Sequence, residues 1–160
     1  MNLRIGLGYD VHQLAAGEEL WLGGIHIPHD KGSVAHSDGD ILLHAICDAL
    51  LGAAGLRDIG YHFPDTDSAF KNIDSKILLA SVYRKIGEKG YRLVNLDATI
   101  SAQRPKLRDW IPSMERVIAE ILECNEEFIN IKATTTEKLG FEGREEGISV
   151  KAIVLIEKAE

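Results

Sequence analysis

A chain of 160 residues with 45% hydrophobic and 27% charged positions has the make-up of a globular protein, long enough to bury a core without staples. Its net charge of −7 denies it the broad positive field that general nucleic-acid or anionic-membrane binding needs, whereas a phosphorylated small molecule needs only a few local cations and free backbone N–H groups. The N-terminal MNLRIGLGYD lacks the apolar run of a signal peptide and the Arg/Ser bias of a transit peptide, and no segment nears bilayer-crossing length, so one cytoplasmic domain over residues 1–160 is expected.

In chain order, Arg4-Ile5-Gly6-Leu7-Gly8-Tyr9 alternates with period two and predicts a strand. Ile5, Leu7 and Tyr9 fall on one face; Gly6, Gly8, Asp10 and His12 fall on the other, where the two glycines leave room for something to approach the backbone. Gly6-x-Gly8 lacks the third glycine and the following helix of a dinucleotide fingerprint, and no Walker A sequence is present. Residues 20–22 and 25–27 flank Gly23-Gly24 with the spacing of a hairpin or bulged strand, ended by Pro28.

The stretch AHSDGDILLHAICDALLGAAGLRDIGYHF, residues 35–63, predicts a helix with Ser37 or Asp38 as its cap, Asp40 in its first turn and Gly55 as a left-handed stop. Asp40, His44 and Asp48 form a polar stripe opposite Ile41, Leu42, Ala45, Ile46 and Ala49. Asp10-x-His12 on a strand with His44 on a helix supplies the two-His, one-carboxylate donor set of a catalytic zinc that keeps one position open. The irregular run at residues 57–74 is longer than connections usually are unless they bind something. Within it, Asp65-Thr66-Asp67 reads as a turn after a proline rather than a metal pair.

Asp74 or Ser75 starts a second helix carrying Leu79, Val82, Tyr83 and Ile86, closed by Lys89-Gly90. A strand follows in which Val94, Leu96, Ala98, Ile100 and Ala102 make the apolar face. After the connector QRPKLRD, Asp109 with Pro112 opens a helix whose Trp110, Met114, Val117, Ile118, Ile121 and Leu122 form a stripe. Residues 129–134 and 148–157 are strands, and the sum is α+β, a mixed β-sheet with helices packed on one side. Thr134 and Glu137 fit a capping box opening a short helix, which is also an anion site where a glutamate can hold Mg2+. Lys132, Lys138, Arg144 and Lys106 supply cations nearby. Cys47 and Cys124 share no C-x-x-C spacing, so both are expected as buried free thiols.

Taken together, Asp10-Val11-His12, His36-Ser37-Asp38-Gly39-Asp40, His44, Asp58-Ile59-Gly60, Phe63-Pro64-Asp65-Thr66-Asp67, Lys106 and the run from Ala133 through Thr136-Glu137 to Phe141 resemble the 2-C-methyl-D-erythritol 2,4-cyclodiphosphate synthase family, in order and spacing over essentially the whole chain. The resemblance implies a homotrimer with active sites between subunits, and a metal-dependent cyclisation of 4-diphosphocytidyl-2-C-methyl-D-erythritol 2-phosphate with loss of CMP. It places Zn2+ on Asp10, His12 and His44, and a second ion, Mg2+ or Mn2+, on Glu137 with the substrate diphosphate. His36 and Thr135 take the positions of transition-state stabilisation. Asp10, His12, His36 and Ser37, Asp58 to Gly60 (with Ile59) and the segment Phe63, Pro64, Asp65, Thr66, Asp67 surround the methylerythritol phosphate. Ala102, Gln103, Arg104, Pro105, Lys106, Leu107 and Arg108 form the cytidine pocket with Ala133, Thr134 and Thr135, and Thr136, Glu137, Phe141 and Arg144 complete the substrate set. No nucleic-acid or membrane partner is implied. A metal-dependent phosphohydrolase using the same open zinc position is the competing reading, and a purely structural zinc would require a fourth protein ligand.

Overall fold

The computed structural model describes residues 2–159. The elements run β1 (Leu3–Ala16), β2 (Leu20–Leu22), β3 (Ile25–Ile27), β4 (Lys31–Val34), α1 (Ile41–Ala54), α2 (Ile59–His62), α3 (Ser75–Glu88), β5 (Tyr91–Ser101), α4 (Ile111–Ile121), β6 (Ile129–Thr134), α5 (Gly140–Gly143) and β7 (Gly147–Lys158), with single 3-10 turns at Ser68–Phe70 and Glu126–Phe128. Five strands form a mixed sheet in the order β4-β1-β7-β5-β6, antiparallel except for the β5–β6 pair, while β2 and β3 make a separate hairpin. The expected α+β class with a mixed sheet is what the chain adopts. No helix among the described residues is long and apolar enough to cross a membrane.

The alternation in β1 decides how the layers meet. Gly6 and Gly8 are buried beneath α1, and a Cβ built on either would lie 1.9 Å from the Ala49 carbonyl oxygen or 1.8 Å from that of Ala45. Only residues without a side chain let the helix axis come this close to the strand. What approaches the backbone here is therefore the chain's own helix. Leu42, Ala45, Ile46 and Ala49 of α1 are sealed against Val150, Ala152 and Val154 of β7, with Leu79 and Val82 of α3 completing the core. Among the described residues the opposite face of the sheet carries no helix: Ile5, Leu7, Tyr9 and Ile153 are exposed there, Ile5 by 71%.

Three local expectations are corrected. The cap of α1 is Asp40, not Ser37 or Asp38: its carboxylate accepts the Leu43 N–H at 3.1 Å and also those of Gly23 at 2.9 Å and Gly24 at 2.6 Å, which pins the β2–β3 hairpin to the helix start. A capping aspartate this buried satisfies donors from two elements at once, a geometry that chain-local spacing does not reveal. In β5 a bulge between Leu93 and Asn95 switches the face, so Leu93 rather than Val94 joins Leu96, Ala98 and Ile100 in the core. Asp109 does not cap α4, which begins after Trp110 with no side-chain cap; Pro112 in its first turn makes a donor-poor start tolerable. Gly55 (φ 68°) stops α1 and Asp74 caps α3 as expected.

Candidate metal and substrate site

Asp10 and His12 point to the same face of β1, and His44 sits one turn into α1, which the glycine contact presses against that face. The three side chains offer donor atoms that all lie within 4.8 Å of one another, the one such group of three or more among the described residues. Asp10 Oδ2 lies 3.1 Å from His12 Nε2 and 3.4 Å from His44 Nδ1. No fourth histidine, cysteine or carboxylate joins them there, so the requirement of a purely structural zinc is not met among the described residues.

The other ring nitrogens are committed elsewhere. His12 Nδ1 lies 3.0 Å from the Gly39 carbonyl, which only accepts, so that nitrogen carries a proton and Nε2 is the one that faces Asp10. His44 Nε2 lies 2.9 Å from Ser75 Oγ and 3.2 Å from Ser37 Oγ, leaving Nδ1 toward the same point. Burial works against ionisation of Asp10, but hydrogen bonds and charge from the two imidazoles outweigh it and hold the carboxyl well below the usual carboxylate range. For His12 burial again opposes the charged form, and Asp10 beside it raises the pKa above the ordinary histidine value. Two ring nitrogens and one ionised oxygen that converge on a common centre, with the far nitrogen of each ring already engaged, fit a divalent cation of the zinc type.

The trio lies in the wall of a cavity of about 340 Å³ that also takes in His36, Ser37, Ile59, Gly60, Phe63 and Asp65. Asp48, the last member of the α1 polar stripe, accepts the Ile59 N–H at 2.7 Å and so fixes where α2 starts. Asp58 caps α2 through the Tyr61 N–H, and Asp67 caps the following 3-10 turn through that of Ala69. Asp58, Pro64, Thr66 and Asp67 thus shape the loop without lining the cavity.

A second cavity, also of about 340 Å³, is walled by Ala102, Gln103, Pro105, Lys106, Leu107 and Arg108 with Ala133, Thr134 and Thr135. The Arg104–Pro105 peptide in this connector is cis. Beyond it the expected capping box is absent. Glu137 and Lys138 have φ of 53° and 66°, which turns the chain left instead of starting a helix; Thr134 Oγ1 donates to the Thr135 carbonyl, and α5 begins only at Gly140. Thr135 Oγ1 accepts the Glu137 N–H at 3.3 Å. Thr136, Glu137, Phe141 and Arg144 line neither cavity, Glu137 is not part of the Asp10 group, and Arg144 is paired with Glu146 at 3.1 Å. Within one chain, then, the expected site residues fall into two separate clusters.

The YgbB family model matches residues 3–157. The chain belongs to the YgbB family. Curated relatives within reach of this YgbB protein include 2-C-methyl-D-erythritol 2,4-cyclodiphosphate synthases from Phocaeicola vulgatus, 62% identical over the full length of both chains, and from Bacteroides thetaiotaomicron, 63% identical over 99% of each. Among solved structures, the bifunctional IspDF from Campylobacter jejuni superposes with a TM-score of 0.95 at 47% identity, and this chain spans 43% of that longer protein. A CDP complex of IspF from Plasmodium falciparum superposes with a TM-score of 0.88 at 34% identity, covering 99% of this chain and 98% of that one.

Ser75 and Asp38 are the side chains at the site that sequence reading missed in this role. Asp38 drew attention as a helix cap and as part of the motif from His36 to Asp40, and Ser75 only as a helix start. Nothing in local spacing signals that a residue 31 positions downstream will face His44.

Proposed function

We infer that this protein converts 4-diphosphocytidyl-2-C-methyl-D-erythritol 2-phosphate to 2-C-methyl-D-erythritol 2,4-cyclodiphosphate with release of CMP. It is a phosphorus–oxygen lyase of isoprenoid precursor biosynthesis. The single observation that carries the reading is the convergence of Asp10, His12 and His44 in the wall of an open cavity, in a chain whose full-length relatives bear the synthase name. That name also leaves the phosphohydrolase reading without support.

Asp10, His12 and His44 would hold Zn2+, and Glu137 a second ion, Mg2+ or Mn2+, on the substrate diphosphate. Such cations supply charge neutralisation at phosphoryl oxygens. An oxygen of the 2-phosphate forms a bond to the β-phosphorus while the bond from that phosphorus to the CMP oxygen breaks. No general base is required, because the attacking phosphate is already ionised at neutral pH, and no Ser-His-Asp or Cys-His arrangement is needed. Both reacting groups belong to one molecule, so holding it folded supplies much of the acceleration. Ser37, Ile59, Gly60, Phe63 and Asp65, which line the first cavity, are proposed to do that around the methylerythritol phosphate, with Asp58, Pro64, Thr66 and Asp67 shaping the loop. His36 and Thr135 are proposed to stabilise the transition state. The cavity walled by Ala102, Gln103 and Pro105 to Arg108, closed by Ala133 and Thr134, is proposed for cytidine, with Arg104, which does not line it, and Thr136, Phe141 and Arg144 contributing from beside it.

A homotrimer joins the two clusters, one subunit offering the metal cavity and its neighbour the nucleotide cavity. Its support is the uncovered apolar sheet face of Ile5, Leu7, Tyr9 and Ile153, a surface of the kind that assembly buries. Leu7→Lys is expected to shift the mass seen by light scattering from trimer to monomer; an unchanged mass would contradict the interface. The activity is tested by incubating the protein with the cytidine diphosphate substrate, with and without chelator, and following CMP and cyclic product by phosphorus NMR. Inorganic phosphate in place of the cyclic product, or chelator-insensitive turnover, overturns the reading.

A further inference from the structure

His44 stands apart from His12 in how its orientation is fixed. The nitrogen of His12 that faces away from Asp10 meets a backbone carbonyl, which can only accept. The corresponding nitrogen of His44 meets hydroxyls, which can donate or accept, so its tautomer is undetermined until something determines the hydroxyl. Asp38 is placed to do this. Its Oδ2 accepts the Ser75 N–H at 2.9 Å and its Oδ1 accepts the Asp40 N–H at 3.1 Å, and Ser75 Oγ lies in a short hydrogen bond to the same Oδ1. An ionised carboxylate has no proton to give, so Ser75 must donate to Asp38 and its remaining lone pair must accept from His44. Ser37 Oγ, which already accepts the Gly39 N–H at 3.2 Å, adds a weaker acceptor on the same side. Ser75 is fully buried and cannot turn its hydroxyl to water instead.

We propose that Asp38 and Ser75 are positioning residues for the cation site: Asp38 orients the Ser75 hydroxyl, and Ser75 keeps a proton on His44 Nε2, which leaves Nδ1, on the Asp10 side, as the nitrogen that takes the cation. The role rests on the reading that Asp10, His12 and His44 hold a cation, because the relay selects the tautomer a ligand needs. Its placement adds a second consequence. Ser75 opens α3 at the far end of the loop that bears Ile59 to Asp67, and backbone bonds from Asn72 N–H to the His36 carbonyl, and from Asp38 N–H to that of Ile73, stitch the loop's end to the His36 segment. The loop must be docked for His44 to be held.

The substitution Asp38→Asn separates the roles. Asparagine has only one acceptor oxygen where the carboxylate has two, so either its amide opposes the Ser75 N–H, or it donates to Ser75 and turns that hydroxyl toward His44. The second arrangement favours the wrong tautomer, with a proton on Nδ1. Long-range 1H–15N correlation spectra of the metal-free protein, with His44 assigned by comparison with His44→Gln, report which nitrogen is bare. A chromophoric chelator in competition gives the Zn2+ affinity. Wild type is expected to show a proton on Nε2 of His44. Asp38→Asn and Ser75→Ala are expected to show a mixture or the reverse, with Zn2+ affinity lower by about 10–100-fold, the usual cost of losing an outer partner of a metal-bound histidine. Ser75→Thr, which keeps the hydroxyl, restores the proton on Nε2. An unchanged His44 spectrum in Asp38→Asn and Ser75→Ala would overturn the proposal, whatever happens to folding stability. Wild-type protein with the expected tautomer but no Zn2+ binding would instead overturn the cation reading on which the role depends.

Discussion

Replacing Gly8 by alanine tests the link between core packing and the metal site. The added Cβ would lie 1.8 Å from the Ala45 carbonyl oxygen and 2.8 Å from both the Ala45 carbonyl carbon and the Ala49 nitrogen, all backbone atoms that no rotamer change can move aside. Opening the shortest contact to 3.0 Å, below which Cβ atoms are essentially never found, displaces α1 from β1 by about 1.2 Å. Overpacking of a core costs about 1–3 kcal/mol, and a clash with backbone alone belongs at the upper end, so a loss of about 3 kcal/mol is expected. The site suffers more specifically. Asp10 lies two residues beyond Gly8 on β1, and His44 is the neighbour of Ala45 on α1. Cation–ligand distances tolerate about 0.2 Å, several times less than the displacement.

The expectation is therefore a lowered urea midpoint for metal-free Gly8→Ala together with Zn2+ affinity reduced by more than about tenfold. Gly52→Ala is the control, because that glycine lies in α1 with nothing within 4 Å of an added Cβ; it should stabilise by about 0.5–1 kcal/mol through helix propensity and leave Zn2+ affinity alone. Gly8→Ala with unchanged midpoint and unchanged affinity would refute the claim that the close approach of α1 builds the site.

Other outcomes follow from single contacts. Asp40→Ala strands the Gly23, Gly24 and Leu43 N–H groups, two of those bonds being buried, and is expected to cost about 3 kcal/mol or more by urea denaturation, since each unsatisfied buried donor costs about 1–3 kcal/mol. Asp48→Ala releases the Ile59 N–H and loosens the loop that lines the first cavity; KM for the cytidine diphosphate substrate should rise about tenfold, equivalent to about 1.4 kcal/mol, with little change in melting temperature, while Asp48→Asn keeps an acceptor and should come closer to wild type. Burial first, and then the charges of Asp48 and Asp40, push the Cys47 thiol well above its ordinary pKa; Cys47 should stay unlabelled by a thiol reagent at pH 8 in native protein and react only on unfolding. Cys124, half-buried and shifted upward by burial alone, should react in the native state but slowly.

Elements governed by short-range periodicity were legible in the sequence. The β1 alternation, the α1 stripe with its Gly55 stop, the Asp74 cap and the β6 bounds all follow from spacing alone. What failed was decided by partners distant in the chain. Asp40 caps α1 because the β2–β3 hairpin folds over it, and the β5 face switches at a bulge whose cause lies in pairing with β7. The apparent capping box at Thr134 dissolves because Glu137 and Lys138 turn left before any helix starts, a backbone choice that those residue types rarely announce.

The metal site shows why one feature of a sequence can be read correctly and still leave its partner unnamed. Gly6 and Gly8 signal that something comes close to β1, and that inference holds; the visitor is α1. Yet the visit is what makes the ligand site. Without two residues lacking Cβ atoms, α1 would ride farther from the strand and His44 would stand too far from Asp10 and His12 to share a cation. The glycines therefore act on the chemistry through helix position, while Ser75 and Asp38 act on it through the orientation of one ring. Distance and direction are set by different parts of the chain, and a donor set read from residue types alone specifies neither.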